Sequence, residues 1–195
     1  MRRLLVPVLA LLLAGCTTTD PGRPTAGDRP TETSTSSSSP TSTSTKVNRP
    51  RNVDLAAVDV CQVLAGLPLA DLGLDTDRPP LAGDSSLFPG SKDCFANGLQ
   101  QNVALLVVAV VNQGAAEYLD GANAEVQQSD VNGFPLYVLT TQASPDTCFG
   151  VLDVNDGQML FINYGHGDTE PGQGVPQATL CQRVPDIARA ALARL

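Results

Sequence analysis

The chain of 195 residues holds one histidine, so imidazole chemistry could fall only on His166, in Asn163-Tyr164-Gly165-His166-Gly167-Asp168. A general base must be held within hydrogen-bond reach of its partner. A histidine between two glycines reads instead as a loop residue at the end of a strand. Tyr164, His166 and Asp168 are kept as candidate binding residues, and no catalytic residue is assigned. A metal on His166, Asp168 and Glu170 would draw three ligands from one short loop, a weak design, so no metal site is expected. Carboxylates pair at Asp75 with Asp77 and at Asp153 with Asp156. The second pair falls at a hairpin turn, Asp153 preceding and Asp156 lying within Asn155-Asp156-Gly157. Calcium needs several oxygens around one compact loop, and the rest of an EF-hand loop is missing here. There is no G-x-S-x-G nucleophile elbow. Gly165, Gly167, Gly172 and Gly174 precede no Lys-Ser/Thr pair, so no phosphate-cradling loop is read, and no cofactor is expected.

The remaining reactive residues are five cysteines, an odd number that flags one for separate use. Cys16 follows Arg2, Arg3 and an apolar stretch from Leu4 to Leu13, broken by Pro7. That stretch is too short for a spanning helix, which needs about 20 apolar residues. Charged start, short apolar middle and small residues at the end form a secretory signal pattern. Leu13-Ala14-Gly15-Cys16 resembles a bacterial lipobox, which implies cleavage before Cys16 and acylation of its sulfur. Residues 1–15 are then a lipoprotein signal peptide. Two or more acyl chains would anchor the protein stably, at about 0.8 kcal/mol per buried methylene. The expected location is the outer face of the cytoplasmic membrane.

Cys61, Cys94, Cys148 and Cys181 remain. In an exported domain disulfides persist. Structural zinc sites use closely spaced cysteines such as C-x2-C, whereas the gaps here are 33, 54 and 33 residues. Four cysteines allow three pairings. Cys61–Cys94 with Cys148–Cys181 is favoured, because each bond would staple a helix to a strand.

Residues 16–48 contain the run TETSTSSSSPTSTST. Such a segment buries too little apolar surface to offset its ordering entropy and reads as a disordered tether. As a flexible coil, thirty residues span about 30 Å. Ser/Thr tracts with Pro also accept O-linked sugar. Residues 49–195 form one domain of ordinary size. It carries seven Lys/Arg against seventeen Asp/Glu, a net charge of −10. No basic stripe is available for nucleic acid.

Within the domain, Val58, Cys61, Val63 and Leu64 have helical spacing, with Asp59 as the start and Gly66 as the stop. Pro68 to Gly73 reads as a second helical turn closed by glycine. Residues 75–93 read as a loop. VALLVVAVV from Val103 to Val111 reads as a strand buried on both faces. Ala115–Leu119 is a short helix. Ala124–Ser129 and Phe134–Thr141 form a hairpin around Asn132-Gly133. Cys148–Val154 and Gln158–Tyr164 form another. Gln177–Leu195 is an amphipathic helix that Pro185 should bend or restart. The expected class is α+β: an antiparallel sheet of about five strands covered by N- and C-terminal helices.

Several of these residues recur together in a known group. The lipobox, the tether, Arg49-Pro50-Arg51, Asp54-Leu55, Asp59, Cys61, Leu64, Cys94, Gly133-Phe134-Pro135, Cys148 and Cys181 resemble an actinobacterial lipoprotein family catalogued as domain of unknown function 3558. The likeness covers residues 49–195. Members often carry a tryptophan after the second cysteine, where this chain has Phe95. The resemblance implies export, two disulfides and an α/β sandwich similar to folds of the Mog1/PsbP type. It implies no activity. The expectation is a non-catalytic binding or interaction module of the cell envelope, held to the membrane through Cys16 and meeting an envelope protein or wall component. The alternatives are a carrier for a lipid or small apolar ligand, and an unrecognised hydrolase.

Overall fold

The computed structural model describes residues 47–167 and 175–195. The signal peptide read over 1–15, Cys16 with nearly all of the tether, and Asp168 lie outside the described residues.

The chain forms a 3-10 turn at Leu55–Ala57, α1 (Val60–Ala65), β1 (Leu81–Asp84), β2 (Lys92–Gly98), β3 (Val103–Val110), α2 (Ala115–Asp120), β4 (Glu125–Val131), β5 (Phe134–Thr140), β6 (Thr147–Asn155), β7 (Gln158–His166) and α3 (Gln177–Leu192). The strands make one antiparallel sheet in the order β1-β2-β3-β7-β6-β5-β4. The sheet therefore has seven strands, not the five expected. The two missed strands are β1, which lies inside the segment read as a loop, and β2, which begins at its end.

Local chemistry sets the ends of these elements. Asp59 caps α1, its Oδ1 accepting from the backbone N–H groups of Cys61 and Gln62 at 3.0 and 3.2 Å. The turn after Pro68 closes with Leu74 N–H on Leu69 O (2.9 Å), Gly73 N–H on Ala70 O (3.0 Å) and Gly73 at φ +71°. That is the paired bonding of a Schellman cap. Asn132 and Gly133 both have positive φ, 52° and 84°, as a tight two-residue hairpin demands. Pro185 lies inside one uninterrupted helix rather than dividing it.

Alternation along the strands separates two layers. On one face, Leu105, Leu136, Leu152, Leu160 and Ile162 pack against Leu64 of α1 and Val184 and Ile187 of α3, all essentially sealed from water. The two disulfides lie in this layer. Cys61–Cys94 joins α1 to β2 and Cys148–Cys181 joins β6 to α3, each with Cα atoms 5.1 Å apart. Both match the pairing favoured from helix–strand stapling.

The other face is covered only in part. There α2 and the segment before β2 bring Tyr118 and Phe88 over Phe161, with ring centroids 5.0–5.7 Å apart. Beyond that cluster no described residue covers the sheet.

Candidate functional site

The sheet register determines what the open part presents. One row across it reads Phe95, Leu106, Asn163, Phe149. The next reads Asn97, Ala104, Gly165, Thr147. Ala104 and Gly165 bring almost no side chain to the middle of the second row, so a hollow forms between taller neighbours. Gly165 is required there, since a Cβ would sit 2.6 Å from Thr147 Oγ1 and 2.9 Å from Asp146 O. The hollow measures about 570 Å³ and is rimmed by the β2–β3 turn, with Leu99 and Asn102, and by His166. That volume falls in the roughly 300–1,000 Å³ range of small-molecule sites.

The chemistry of the lining is unlike that of the domain as a whole. Among the described residues no Asp, Glu, Lys or Arg contributes to it. Apart from His166 at the rim, its polar side chains are the amides of Asn97, Asn102 and Asn163 and the hydroxyl of Thr147. Asn102 and Thr147 enter hydrogen bonds with His166 and Gln177 through their backbone carbonyls. None of the four side chains has a hydrogen-bond partner among the described residues. All four are half-buried, so they combine free donors and acceptors with partial shelter from water.

Asn163 departs furthest from local expectation. The same face of β7 carries Met159 and Phe161, and Leu106 and Phe149 flank position 163 on the neighbouring strands. A β-branched apolar residue would suit that place better as sheet surface. Local rules are most often broken where function requires it.

The candidates read from sequence fall differently. Tyr164 lies on the helix-covered face, buried, with its hydroxyl donating to Leu72 O at 2.8 Å. Burial pushes its phenol pKa up, opposed by Arg183. It does not line the hollow. His166 reaches the rim, and its Nδ1 and Nε2 stand 3.0 and 2.9 Å from the carbonyl oxygens of Asn102 and Val175. Both neighbours are backbone acceptors, and the ring, set between the β2–β3 turn and the approach to α3, can donate to either according to its tautomer. Asp168 lies outside the described residues. Among the described residues no group of three or more His, Cys, Asp or Glu converges.

Sequence reasoning singles out none of the hollow's amides. The signal is the alternation Met159, Phe161, Asn163 within β7, visible once the strand is paired with its neighbours.

At the opposite end of the sheet the domain receives its N-terminal segment. Arg49 pairs with Asp153 and Asp156 beside the β6–β7 turn. Pro50 covers Gly133, where a Cβ would approach its Cγ to 2.6 Å. Arg51 lies 5.9 Å from the Phe134 ring centroid, and Val53 N–H donates to Val154 O at 2.9 Å. Five to seven residues of β7 separate this end from Asn163 and Gly165, about 20 Å of strand.

Comparison with known proteins adds one match. A family model described as "Protein of unknown function (DUF3558)" matches residues 11–194. No curated protein matches the chain, and no solved structure matches it.

Proposed function

This chain belongs to the DUF3558 family, and we propose that it is a membrane-anchored, extracytoplasmic lipoprotein serving as a non-catalytic binding module of the actinobacterial cell envelope. In this reading Cys16 carries the acyl anchor and the Ser/Thr/Pro segment is the tether. The domain, of the Mog1/PsbP type implied by the family resemblance, offers the open half of its sheet to a partner. The supporting observation is the hollow of about 570 Å³ lined by amides that have no hydrogen-bond partner among the described residues. It lies at the end of the sheet away from Arg49, where the tether joins.

A surface site is favoured over a carrier cavity because the space between sheet and helices is filled by Leu64, Leu105, Ile162 and Ile187, each fully buried.

Two measurements, made on the same cells, test this. Cells expressing the wild-type chain or Cys16→Ala are fractionated, and each chain carries a photocrosslinking residue at Leu99, on the rim of the hollow. The wild type should sediment with membranes and yield a reproducible adduct, and the variant should be released. A variant that stays in the membrane fraction contradicts the anchor. A wild type with no adduct contradicts the binding role.

A further inference from the structure

We infer that the hollow on the open sheet face takes an uncharged saccharide, with Asn163 as the central contact. The inference rests on the binding-module reading and names the ligand chemistry of that site. Three features carry it. The first is charge. The domain bears 24 Asp, Glu, Lys and Arg side chains, and none of the 22 on described residues lines the hollow. A charged ligand would be desolvated there without a counter-charge, at high cost. A neutral one would not.

The second is the form of the polar lining. Asn97, Asn102 and Asn163 each present an amide carbonyl and an NH2 group, and Thr147 a hydroxyl. Such groups serve both as donors and as acceptors at close spacing. Sugar hydroxyls do the same, so each can pair in either sense. A simple alcohol or an acyl chain would leave most of these amides facing a ligand with nothing to offer them, and an unmet polar group is costly once water is expelled.

The third is the apolar wall. Phe95 and Leu106 stand side by side in the row adjoining Asn163 and are half-buried. A pyranose has a C–H face as well as a hydroxyl edge. The wall suits the first and the amide row the second. The hollow lies over the middle strands β3 and β7, not at a sheet edge, so strand addition by a peptide backbone is not available to it.

The full chain is purified in a zwitterionic, sugar-free detergent. It is titrated calorimetrically with a panel of uncharged sugars: glucose, mannose, galactose and arabinose, and the tetrasaccharide of each. At least one is expected to bind with Kd below about 1 mM. Asn163→Val should weaken that binding about tenfold or more, and Ala104→Leu, which fills the floor, should abolish it. Circular dichroism checks that both variants keep the fold. Tighter binding of a tetrasaccharide than of its monosaccharide would identify a polymer as the source. Equal binding would identify a single terminal sugar, and either result supports the inference. If no panel member binds, or if neither variant weakens binding, the saccharide assignment is overturned. A crosslink at Leu99 to a protein, together with an empty panel, would overturn the saccharide and leave the binding-module reading standing.

Discussion

Arg49 and Asp153, 104 positions apart in the chain, form an ion pair with both side chains almost sealed from water. Arg49 also reaches the exposed Asp156, while its buried Nε has no hydrogen-bond partner among the described residues. This pair fixes the point at which the N-terminal segment meets the sheet. Burial pushes the Asp153 carboxyl above its ordinary value of 3.8; Arg49 pulls it back, and Asp156 adds a smaller upward push.

Arg49→Met should therefore destabilise the domain in a pH-dependent way. A carboxyl whose folded pKa is raised binds its proton more tightly in the folded state. Its contribution is greatest below the unfolded value of 3.8 and is lost as pH rises through the folded value. Removing the guanidinium raises the folded value further and widens that window upward. Urea unfolding should show a loss of about 3–5 kcal/mol at about pH 8, as when one partner of a buried pair is removed. The loss should be clearly smaller at about pH 4. Equal losses at the two pH values would show that Arg49 acts by packing alone.

The two disulfides close loops of equal length, with a sequence separation of 33 in each. In the chain-entropy description each contributes about 3.5–4 kcal/mol. Cys61→Ala/Cys94→Ala and Cys148→Ala/Cys181→Ala should each lower the unfolding free energy by about that much in denaturant titrations. A loss under about 1 kcal/mol for either pair would mean that its unfolded state is already restrained.

Much of the architecture is legible in the sequence because its signals are local. The valine-rich run marks β3, Asn132-Gly133 marks the β4–β5 turn, and Asp59 marks the start of α1. The first two strands are not legible. The inward positions of β2 are Cys94, Ala96 and Gly98, small residues that make no apolar pattern. They are small because other chain lies against them: Cys94 is bonded to α1, and a Cβ on Gly98 would sit 1.8 Å from Gly73 O. In β1, Leu81-Ala82-Gly83-Asp84 is mostly exposed and is ordered by its pairing with β2. Pro185 predicts a bend or restart; the helix does not restart there, because the burial of Val184, Ile187 and Ala188 against the sheet outweighs the one backbone bond it removes.

The site is less legible than the fold. Attention to titratable residues leads to Tyr164 and His166, one turned into the core and the other occupied with backbone carbonyls. The hollow is made by amides and by two small residues, types that carry no catalytic pattern. They meet only when β2, β3, β6 and β7 are set in register.

The most direct measurement is the unfolding free energy of Asn163→Val beside the wild type. If the amide is there for a ligand, valine between Leu106 and Phe149 should leave stability unchanged or raise it by up to about 1 kcal/mol, while sugar binding falls. A loss of more than about 1 kcal/mol would mean that Asn163 holds the sheet together, and the hollow would then lose its claim to be the working surface.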